Sequence, residues 1–321
     1  MSASNGFRPV PWLPGPHLET IVPALMPAKR RPRPWQSRVI PVEESSAVQV
    51  HQREPHPGSR GTLLLLHGLG GSADSRYMWW TSRVAAARGW VPVRMNARNA
   101  GGTEALSTTL YNAGQSDDVD AVLADLEAAG FPRPFAVVGF SLGGNTVLRY
   151  AGTRGAECRA DHVVAVNPPV ELDVTARELE RPENRVYRHH FTRLLVRQLD
   201  RIRRIRPVAG PALPFWRVGT IRRFDTLYIA PAAGHPSAEA YYAHASSGPR
   251  LAGIRVPGLV LSTENDPFVP SPMFEKYRTN GSGPLRWRFV RRGGHLGYWS
   301  RGRPRFWAAT AILDHLEERT R

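Results

Sequence analysis

Residues 137–150 read VVGFSLGGNTVLRY and place a serine among glycines, where an apolar run gives way to a helical pattern. The run 135–138 consists of residues that favour strands, and 142–150 has the apolar spacing of a helix. Ser141 therefore lies in a strand-to-helix turn within the pattern Gly-x-Ser-x-Gly. This pattern is typical of a nucleophile elbow, whose glycines let neighbouring backbone approach and whose serine Oγ projects beyond the sheet. Taken alone, these five residues also fit a glycine-rich turn with a chance serine.

A nucleophilic serine needs a base and a carboxylate that orients it, and elbow proteins supply them in the order Ser, Asp or Glu, His. Asp266 follows the strand pattern 259–261 and precedes a proline-bounded loop, and His295 follows the strand pattern 285–290 beside two glycines. Asn-Asp-Pro is also ordinary turn chemistry, and a loop histidine is often merely solvated. Three candidates at three strand ends in the required order nevertheless predict a catalytic triad of Ser141, Asp266 and His295.

Other acidic and histidine residues after Ser141 are placed less well. Asp173 and Asp225 lie in a segment without strand character, and His315 lies in a C-terminal helical pattern. None of the three follows a strand, so we expect none of them to belong to the triad.

The stretch TLLLLHGLGGS, residues 62–72, is a four-leucine strand that ends in a His-Gly step. In elbow proteins such a step aims the next backbone N–H at the substrate oxygen, and the residue after the nucleophile supplies a second N–H. We therefore predict an oxyanion hole formed by the backbone N–H groups of Leu69 and Leu142. His67 precedes the predicted hole, so a structural role is favoured for it.

Composition limits the class of protein. The chain has 321 residues, 41% of them hydrophobic, which is ample for a folded core. It has one cysteine, Cys158, so no disulfide can form within the chain. The first residues show no charged-then-apolar leader, and no apolar run is long enough to span a membrane. We expect a cytoplasmic protein, with no metal-ligand cluster and no cofactor.

The formal net charge of +16 raises the question of a nucleic-acid partner. Of the 43 basic residues, only Lys29 and Lys276 are lysines, a bias typical of GC-rich coding sequence rather than of a binding partner. No nucleic-acid-binding motif accompanies the charge, so we expect no nucleic-acid function. Weak association with an anionic membrane surface is a hypothesis that charge alone supports. The sequence does not determine the oligomeric state.

Strand and helix patterns alternate along most of the chain. Eight strands are predicted at 38–42, 47–51, 62–66, 90–95, 135–139, 162–166, 258–262 and 285–290. Helices are predicted at 76–88, 117–129, 142–152, 271–278 and 305–319. This alternation predicts an α/β fold, with a mostly parallel eight-stranded sheet covered by helices on both faces. Ligands of such sheets bind beyond the carboxyl ends of the strands, where Ser141, Asp266 and His295 are expected.

Residues 171–250 interrupt the alternation, because they contain helical patterns and no convincing strand. Within them, 185–206 carries apolar residues at three- and four-residue steps and arginines elsewhere. A helical cap insertion that buries this stripe over the site is favoured over a membrane-surface helix. We interpret the rest as one domain, with residues 1–36 as an N-terminal extension and the Arg/Pro-rich stretch 26–35 as an exposed connection.

The motifs together resemble one known group of proteins. GPHLETIVP, HGLGGS, YNAGQSDD, GFSLGGN, FDTLYIAP, AYYAHASS, NDPFVP and GGHLGYW are similar to the YheT-like branch of the α/β-hydrolase superfamily, over nearly the whole chain. That branch includes yeast medium-chain ester synthase/esterases and mammalian α/β-hydrolase-domain lipases. The resemblance implies the α/β-hydrolase fold, and it places Ser141, Asp266 and His295 on the nucleophile, acid and base.

Two segments depart from the family pattern. Glu19 stands where relatives usually have glutamine in a His-Leu-Gln-Thr motif, and MNARNAGGTE replaces an Arg-Gly-Cys-Ser-Gly-like stretch. Neither segment contains a predicted triad residue. Both bear on pocket shape, and so on the identity of the substrate.

The leading hypothesis is a serine carboxylester hydrolase that forms an acyl-enzyme from a small-molecule ester, with a short- to medium-chain acyl group or a lipid-like structure. A thioesterase or an alcohol acyltransferase would use the same triad. A binding protein on a hydrolase scaffold is disfavoured, because such a protein would not need all three residues. Ser141 excludes a dehalogenase with an aspartate nucleophile.

Overall fold

The computed structural model describes residues 6–26, 35–278 and 283–319 of the chain. Eight strands form one sheet in the order β1-β2-β4-β3-β5-β6-β7-β8. Their bounds are β1 Gln36–Glu43, β2 Ser46–Gln52, β3 Gly61–Leu66, β4 Trp90–Asn96, β5 Phe135–Phe140, β6 His162–Val166, β7 Gly258–Thr263 and β8 Leu285–Val290. All eight predicted strands are confirmed, to within two residues at each end.

Strands β3 to β8 run parallel, and β1 and β2 pair antiparallel with each other and with β4. The parallel strands read as continuous apolar runs because both faces of the sheet are covered. Leu64 and Leu66 of β3 lie in one apolar cluster, and the alternate residues Leu63 and Leu65 lie in another, on the opposite face. The sheet is therefore the middle layer of a three-layer α/β fold, as predicted.

The helices are α1 Pro16–Leu25, α2 Arg76–Ala87, α3 Asp117–Ala128, α4 Leu142–Arg154, α5 Leu172–Glu180, α6 Arg185–Arg203, α7 Phe215–Val218, α8 Ile221–Phe224, α9 Ala230–Ala232, α10 Ala238–Ala245 and α11 Trp307–Arg319. Helices α3 and α4 contribute to the cluster on one face, and α2 and α11 to the cluster on the other. The segment predicted as a helix at 271–278 is instead a 3₁₀ helix, Ser271–Tyr277, which begins directly after Pro270. Within the described ranges, no helix combines the length and the apolar character needed to cross a membrane.

Helices α5 to α10 occupy the interval between β6 and β7, and no described residue of that interval belongs to a strand. The apolar stripe predicted along α6 faces inward over most of its length. Leu195, Leu199 and Ile202 are buried, whereas Ile205, beyond the end of the helix, is 55% exposed. Residues of α5, α6, α8 and α10 line one pocket together with Ser141, and the interpretation of these helices as a cap stays a prediction.

The amino-terminal residues pack against the carboxyl-terminal part of the chain. Pro9 forms an isolated β-bridge with Ser300, and the N–H of Val10 donates to the carbonyl of Trp299. The segment interpreted from sequence as an extension is thus partly built into the fold. Residues 27–34, most of the stretch expected to be an exposed connection, lie outside the described residues, as does Lys29.

A buried ion pair fixes the loop that follows β4. Arg98, in the stretch that departs from the family pattern, donates to Asp118 of α3 at 2.8 Å and to Glu43 at 2.7 Å. The side chains of Arg98 and Asp118 are only 2% and 5% exposed. Removing one member of such a pair leaves an uncompensated buried charge, which costs far more than the pair itself contributes.

We therefore expect Asp118→Asn to lower the free energy of unfolding by about 3 kcal/mol. The neighbouring Asp117→Asn is the matched control, since Asp117 is 76% exposed and pairs with Arg154 at the surface. Urea denaturation followed by circular dichroism measures both. If both variants lost the same small amount of unfolding free energy, the Arg98–Asp118 pair would not be important for stability.

Candidate active site

The backbone at Ser141 has the strained geometry of a nucleophile elbow. Its φ of 52° and ψ of −121° lie where a residue with a side chain is rarely found. A Cβ at Gly139 would lie 2.1 Å from the carbonyl oxygen of Gly143, and one at Gly143 would lie 2.5 Å from that of His67. Glycine is therefore required at both positions, because they bring β5, α4 and the loop after β3 together around Ser141.

His295 lies between the serine and the predicted acid. Its Nε2 is 2.9 Å from Ser141 Oγ, and its Nδ1 is 2.7 Å from Asp266 Oδ2. The backbone N–H groups of Phe268 and Val269 donate to the other oxygen, Asp266 Oδ1, at 3.1 and 2.9 Å. The structure therefore joins the three residues predicted from sequence in one hydrogen-bonded chain, at the carboxyl ends of β5, β7 and β8.

The loop after β3 lies against the serine. A Cβ on Gly68 would come within 2.9 Å of Ser141 Cβ, so the backbone that carries Leu69 passes next to the nucleophile. Neither the Leu69 nor the Leu142 N–H donates to an acceptor among the described residues, and both residues line the pocket at Ser141. Leu69 and Leu142 thus lie beside Ser141 on the pocket wall, and their role as oxyanion donors stays a prediction.

His67 supports this loop. Its Nε2 accepts from the N–H of Ala97 at 3.1 Å, and its Nδ1 is 2.8 Å from the carbonyl of Gly68. Burial lowers the pKa of His67 to about 4, so the ring is neutral and Nδ1–H is the donor to Gly68. Both ring nitrogens are occupied, which agrees with the structural role inferred from its place in the sequence.

Comparison with known proteins gives the family. The family model described as alpha/beta hydrolase fold matches residues 61–301. The chain belongs to this family. Among curated proteins, it is 28% identical to "Putative esterase YheT" of Escherichia coli over 98% of this chain and 94% of that protein. It is also 27% identical to "Monoacylglycerol lipase" of Saccharomyces cerevisiae over 79% of this chain and 58% of that protein.

A solved structure agrees with the fold. The esterase Pf2001 of Pyrococcus furiosus superposes with a TM-score of 0.62 at 15% sequence identity, over 89% of this chain and 90% of that chain. At this identity the similarity concerns the fold alone. The expected resemblance to the YheT-like branch of the α/β hydrolases is confirmed by the sequence relatives.

Asn167 is a site residue of this α/β hydrolase that the sequence reasoning missed. It follows β6, has a φ of 47° and is fully buried. Its Nδ2 donates to Asp266 Oδ2 at 2.7 Å, the oxygen that also faces His295, and its Oδ1 accepts from Tyr298 OH at 2.6 Å. The sequence does contain a signal for Asn167: it is an asparagine directly after β6, the strand next to β5, which leads to Ser141.

Helix α1 holds the loop that carries His295. Thr20 Oγ1 accepts the backbone N–H of His295 at 2.8 Å. The buried carboxylate of Glu19 accepts from the N–H of Gly293 at 2.9 Å and from Arg292 Nε at 2.8 Å. The glutamate that departs from the family pattern thus forms an ion pair with Arg292, which a glutamine could not form.

A pocket extends from the serine beneath the cap. Its volume is ≈ 990 Å³ when the open space at its mouth is counted. Much of its wall is apolar and comes from α5 and α6. These residues are Leu172, Leu179, Phe191, Leu195, Leu199 and Ile202. Helices α5 and α6 therefore form a hydrophobic wall of the pocket that Ser141 also lines.

The residues that the sequence analysis set aside have other partners or positions. Asp225 is on the pocket wall, where it bonds to Tyr242, and Asp173 forms ion pairs with Arg177 and Arg222. His315 is buried on α11. Among the described residues, neither Asp173 nor Asp225 forms a hydrogen bond or an ion pair with Ser141 or His295.

We expect Asn167→Asp to lower kcat about 100-fold with little change in KM. The new carboxylate would face Asp266, and two carboxylates in contact cannot both ionise, so the imidazolium formed during the reaction would lose support. Tyr298→Phe is the control, since it removes the hydrogen bond on the far side of Asn167 without adding charge. Steady-state kinetics that show equal losses in both variants would mean that Asn167 acts only through packing.

Proposed function

We propose that this chain is a serine carboxylester hydrolase that acts on short- to medium-chain acyl esters, with Ser141 as nucleophile, His295 as base and Asp266 as the orienting acid. The observation that carries the proposal is the unbroken hydrogen-bonded chain from Ser141 Oγ through the imidazole to Asp266, at the mouth of an apolar pocket. The proposed substrate is a small-molecule acyl ester.

The broader class rests on the comparisons. The chain is an α/β hydrolase of the esterase and lipase type, because its family match spans residues 61–301 and its relatives are named as an esterase and a lipase. The yeast relative is considerably longer than this chain, and the substrate in its name describes that protein. A cytoplasmic location stays a prediction.

In the proposed mechanism, Ser141 Oγ attacks the ester carbonyl carbon while His295 Nε2 accepts its proton. The imidazolium donates through Nδ1 to Asp266, whose negative charge stabilises it. The N–H groups of Leu69 and Leu142 bind the oxyanion of the tetrahedral intermediate. Each such donor contributes about 3 kcal/mol of transition-state stabilisation.

Collapse of this intermediate breaks the bond to the alcohol oxygen, which receives the proton from His295. The acyl group remains on Ser141. Water, deprotonated by the same imidazole, then attacks the acyl-enzyme and releases the carboxylic acid. Every proton in the cycle moves through His295, so the proposal needs no further titratable group at the serine.

A fluorophosphonate probe should label Ser141 covalently, because the probe reacts with an activated serine and its phosphonyl oxygen mimics the oxyanion. Intact-protein and peptide mass spectrometry locate the adduct, with Ser141→Ala as the unlabelled control. Folded wild-type protein that takes up no label would favour a binding protein on a hydrolase scaffold. Labelling of Ser141→Ala would place the nucleophile elsewhere.

The apolar wall leads to a chain-length prediction. We expect kcat/KM for 4-nitrophenyl esters to rise from acetate to medium chains and then level off, since each methylene held in the pocket contributes up to about 0.8 kcal/mol. Phe191→Ala and Leu195→Ala should flatten this rise more than they affect the acetate. Val186→Ala is the matched control on α6, because Val186 is 63% exposed to solvent.

Liposome binding tests the competing hypothesis in the same variants. If α6 served as a membrane-surface helix, the substitutions at Phe191 and Leu195 would leave the chain-length profile intact and weaken binding to anionic vesicles. That result would reject the acyl-pocket interpretation.

A further inference from the structure

The pocket under the cap contains one carboxyl group that the proposed mechanism does not use. Asp225 begins the π-helical segment Asp225–Ile229, directly after α8. It lines the same pocket as Ser141, and no other acidic residue lines it among the described residues. Its neighbours on the wall include Ile221, Phe224 and Ile229, so the carboxyl group is set in an apolar surface.

Only one of the two carboxyl oxygens has a partner. Tyr242 OH of α10 donates to Asp225 Oδ2 at 2.6 Å, whereas Oδ1 accepts no hydrogen bond from any described residue. The nearby Arg222 donates instead to Asp173 at 2.6 Å and to Glu239 at 2.7 Å. Oδ1 is not sealed inside the protein, so the carboxyl group presents one oxygen to the pocket that is free to bond a ligand.

The chemistry of this carboxyl group indicates what could bind it. Burial raises the pKa of Asp225 to about 7, against the opposing effects of the Tyr242 hydrogen bond and the Arg222 charge. Both protonation states are therefore populated near neutral pH. When Asp225 is ionised, Oδ1 can only accept a hydrogen bond, and when it is protonated there, Oδ1 can donate one. A hydroxyl group can donate to the first state and accept from the second. An ammonium group can only donate and a carbonyl can only accept, so each matches just one of the two states.

We propose that Asp225, held by Tyr242, is a polar anchor in the apolar pocket and binds a hydroxyl group that the substrate carries away from its scissile carbonyl. The enzyme would thus select esters with a second, hydroxylated end over plain alkyl esters. The hydroxyl can belong to the acyl chain or to the alcohol. This inference rests on the proposed esterase function and adds the substrate class.

Paired esters test the anchor and distinguish the two sources of the hydroxyl. The acyl arm compares 4-nitrophenyl alkanoates of four to ten carbons with their ω-hydroxy counterparts. The alcohol arm compares hexyl butyrate with 6-hydroxyhexyl butyrate. The hydroxyl group must reach Asp225, so we expect the preference in only one arm and at the chain length that fits. For that ester, kcat/KM should be about tenfold higher than for its plain alkyl partner, as expected for one hydrogen bond to a buried carboxyl group.

Substitutions assign that preference to Asp225. Asp225→Leu should abolish it, and Asp225→Asn, which keeps a hydrogen-bonding group, should retain part of it. Glu239→Gln is the matched control, because it removes a carboxylate that pairs with the same Arg222 but lies at the surface. Thermal melting accompanies each variant. If Asp225 only ties the cap together, Asp225→Leu and Asp225→Asn will melt earlier and will slow both esters of a pair alike.

A binding measurement keeps this test independent of catalysis. With Ser141→Ala protein, calorimetry should show 1,8-octanediol binding more tightly than 1-octanol, and Asp225→Leu in that background should remove the difference. If the Ser141→Ala variant still hydrolysed esters, the proposed function would be overturned. The comparison of 1,8-octanediol with 1-octanol binding would remain valid. No hydroxyl preference at any chain length, in either arm or between the two alcohols, would overturn the anchor.

Discussion

The hydrogen bond between His295 Nδ1 and Asp266 Oδ2, 2.7 Å long, is the contact on which the site depends. It joins the loops after β7 and β8 and fixes the imidazole so that Nε2 faces Ser141. Asp266 is buried, and a buried carboxylate is tolerated only when donors surround it. Here the donors are two backbone N–H groups, Asn167 and the imidazole itself. These donors occupy both carboxyl oxygens of Asp266 and hold it in place against the imidazole.

Ser141 and His295 are held in place in two different ways. Ser141 is held by a strained turn whose glycines allow three backbone segments to touch, a local device encoded within a few residues. His295 is held by long-range contacts from Thr20 and Glu19 of α1. Much of the pocket wall comes from another part of the chain, the helices between β6 and β7. The proposed reaction chemistry and the proposed substrate selection thus belong to separate parts of the chain.

How much the sequence predicts depends on the range of the interactions involved. The strands and the elbow could be predicted because apolar runs and glycine spacing act locally, and the order of Ser141, Asp266 and His295 follows from the order of strand ends. Asn167 and Glu19 were missed as site residues because each acts on a partner distant in sequence. The 3₁₀ helix at Ser271–Tyr277 was assigned as an ordinary helix because apolar spacing does not distinguish the two over so short a segment. The inward face of α6 was predictable from its apolar period, but the place of Asp225 on the same pocket wall was not, because the motif FDTLYIAP that contains it does not indicate what its carboxyl group faces.

The position of α1 ties the completion of the active site to the order in which the chain is made. Thr20 is synthesised 275 residues before His295, whose backbone N–H it accepts. A domain generally folds as a unit, so the elbow is expected to complete its packing only after the carboxyl-terminal strands β7 and β8 have been made. Until then Ser141 has neither its proposed base nor the proposed orienting acid. In a nascent or truncated chain, Ser141 would therefore lack these hydrogen-bonded partners, and we expect reactivity to arise only when the segments that carry Thr20, Asp266 and His295 have packed together.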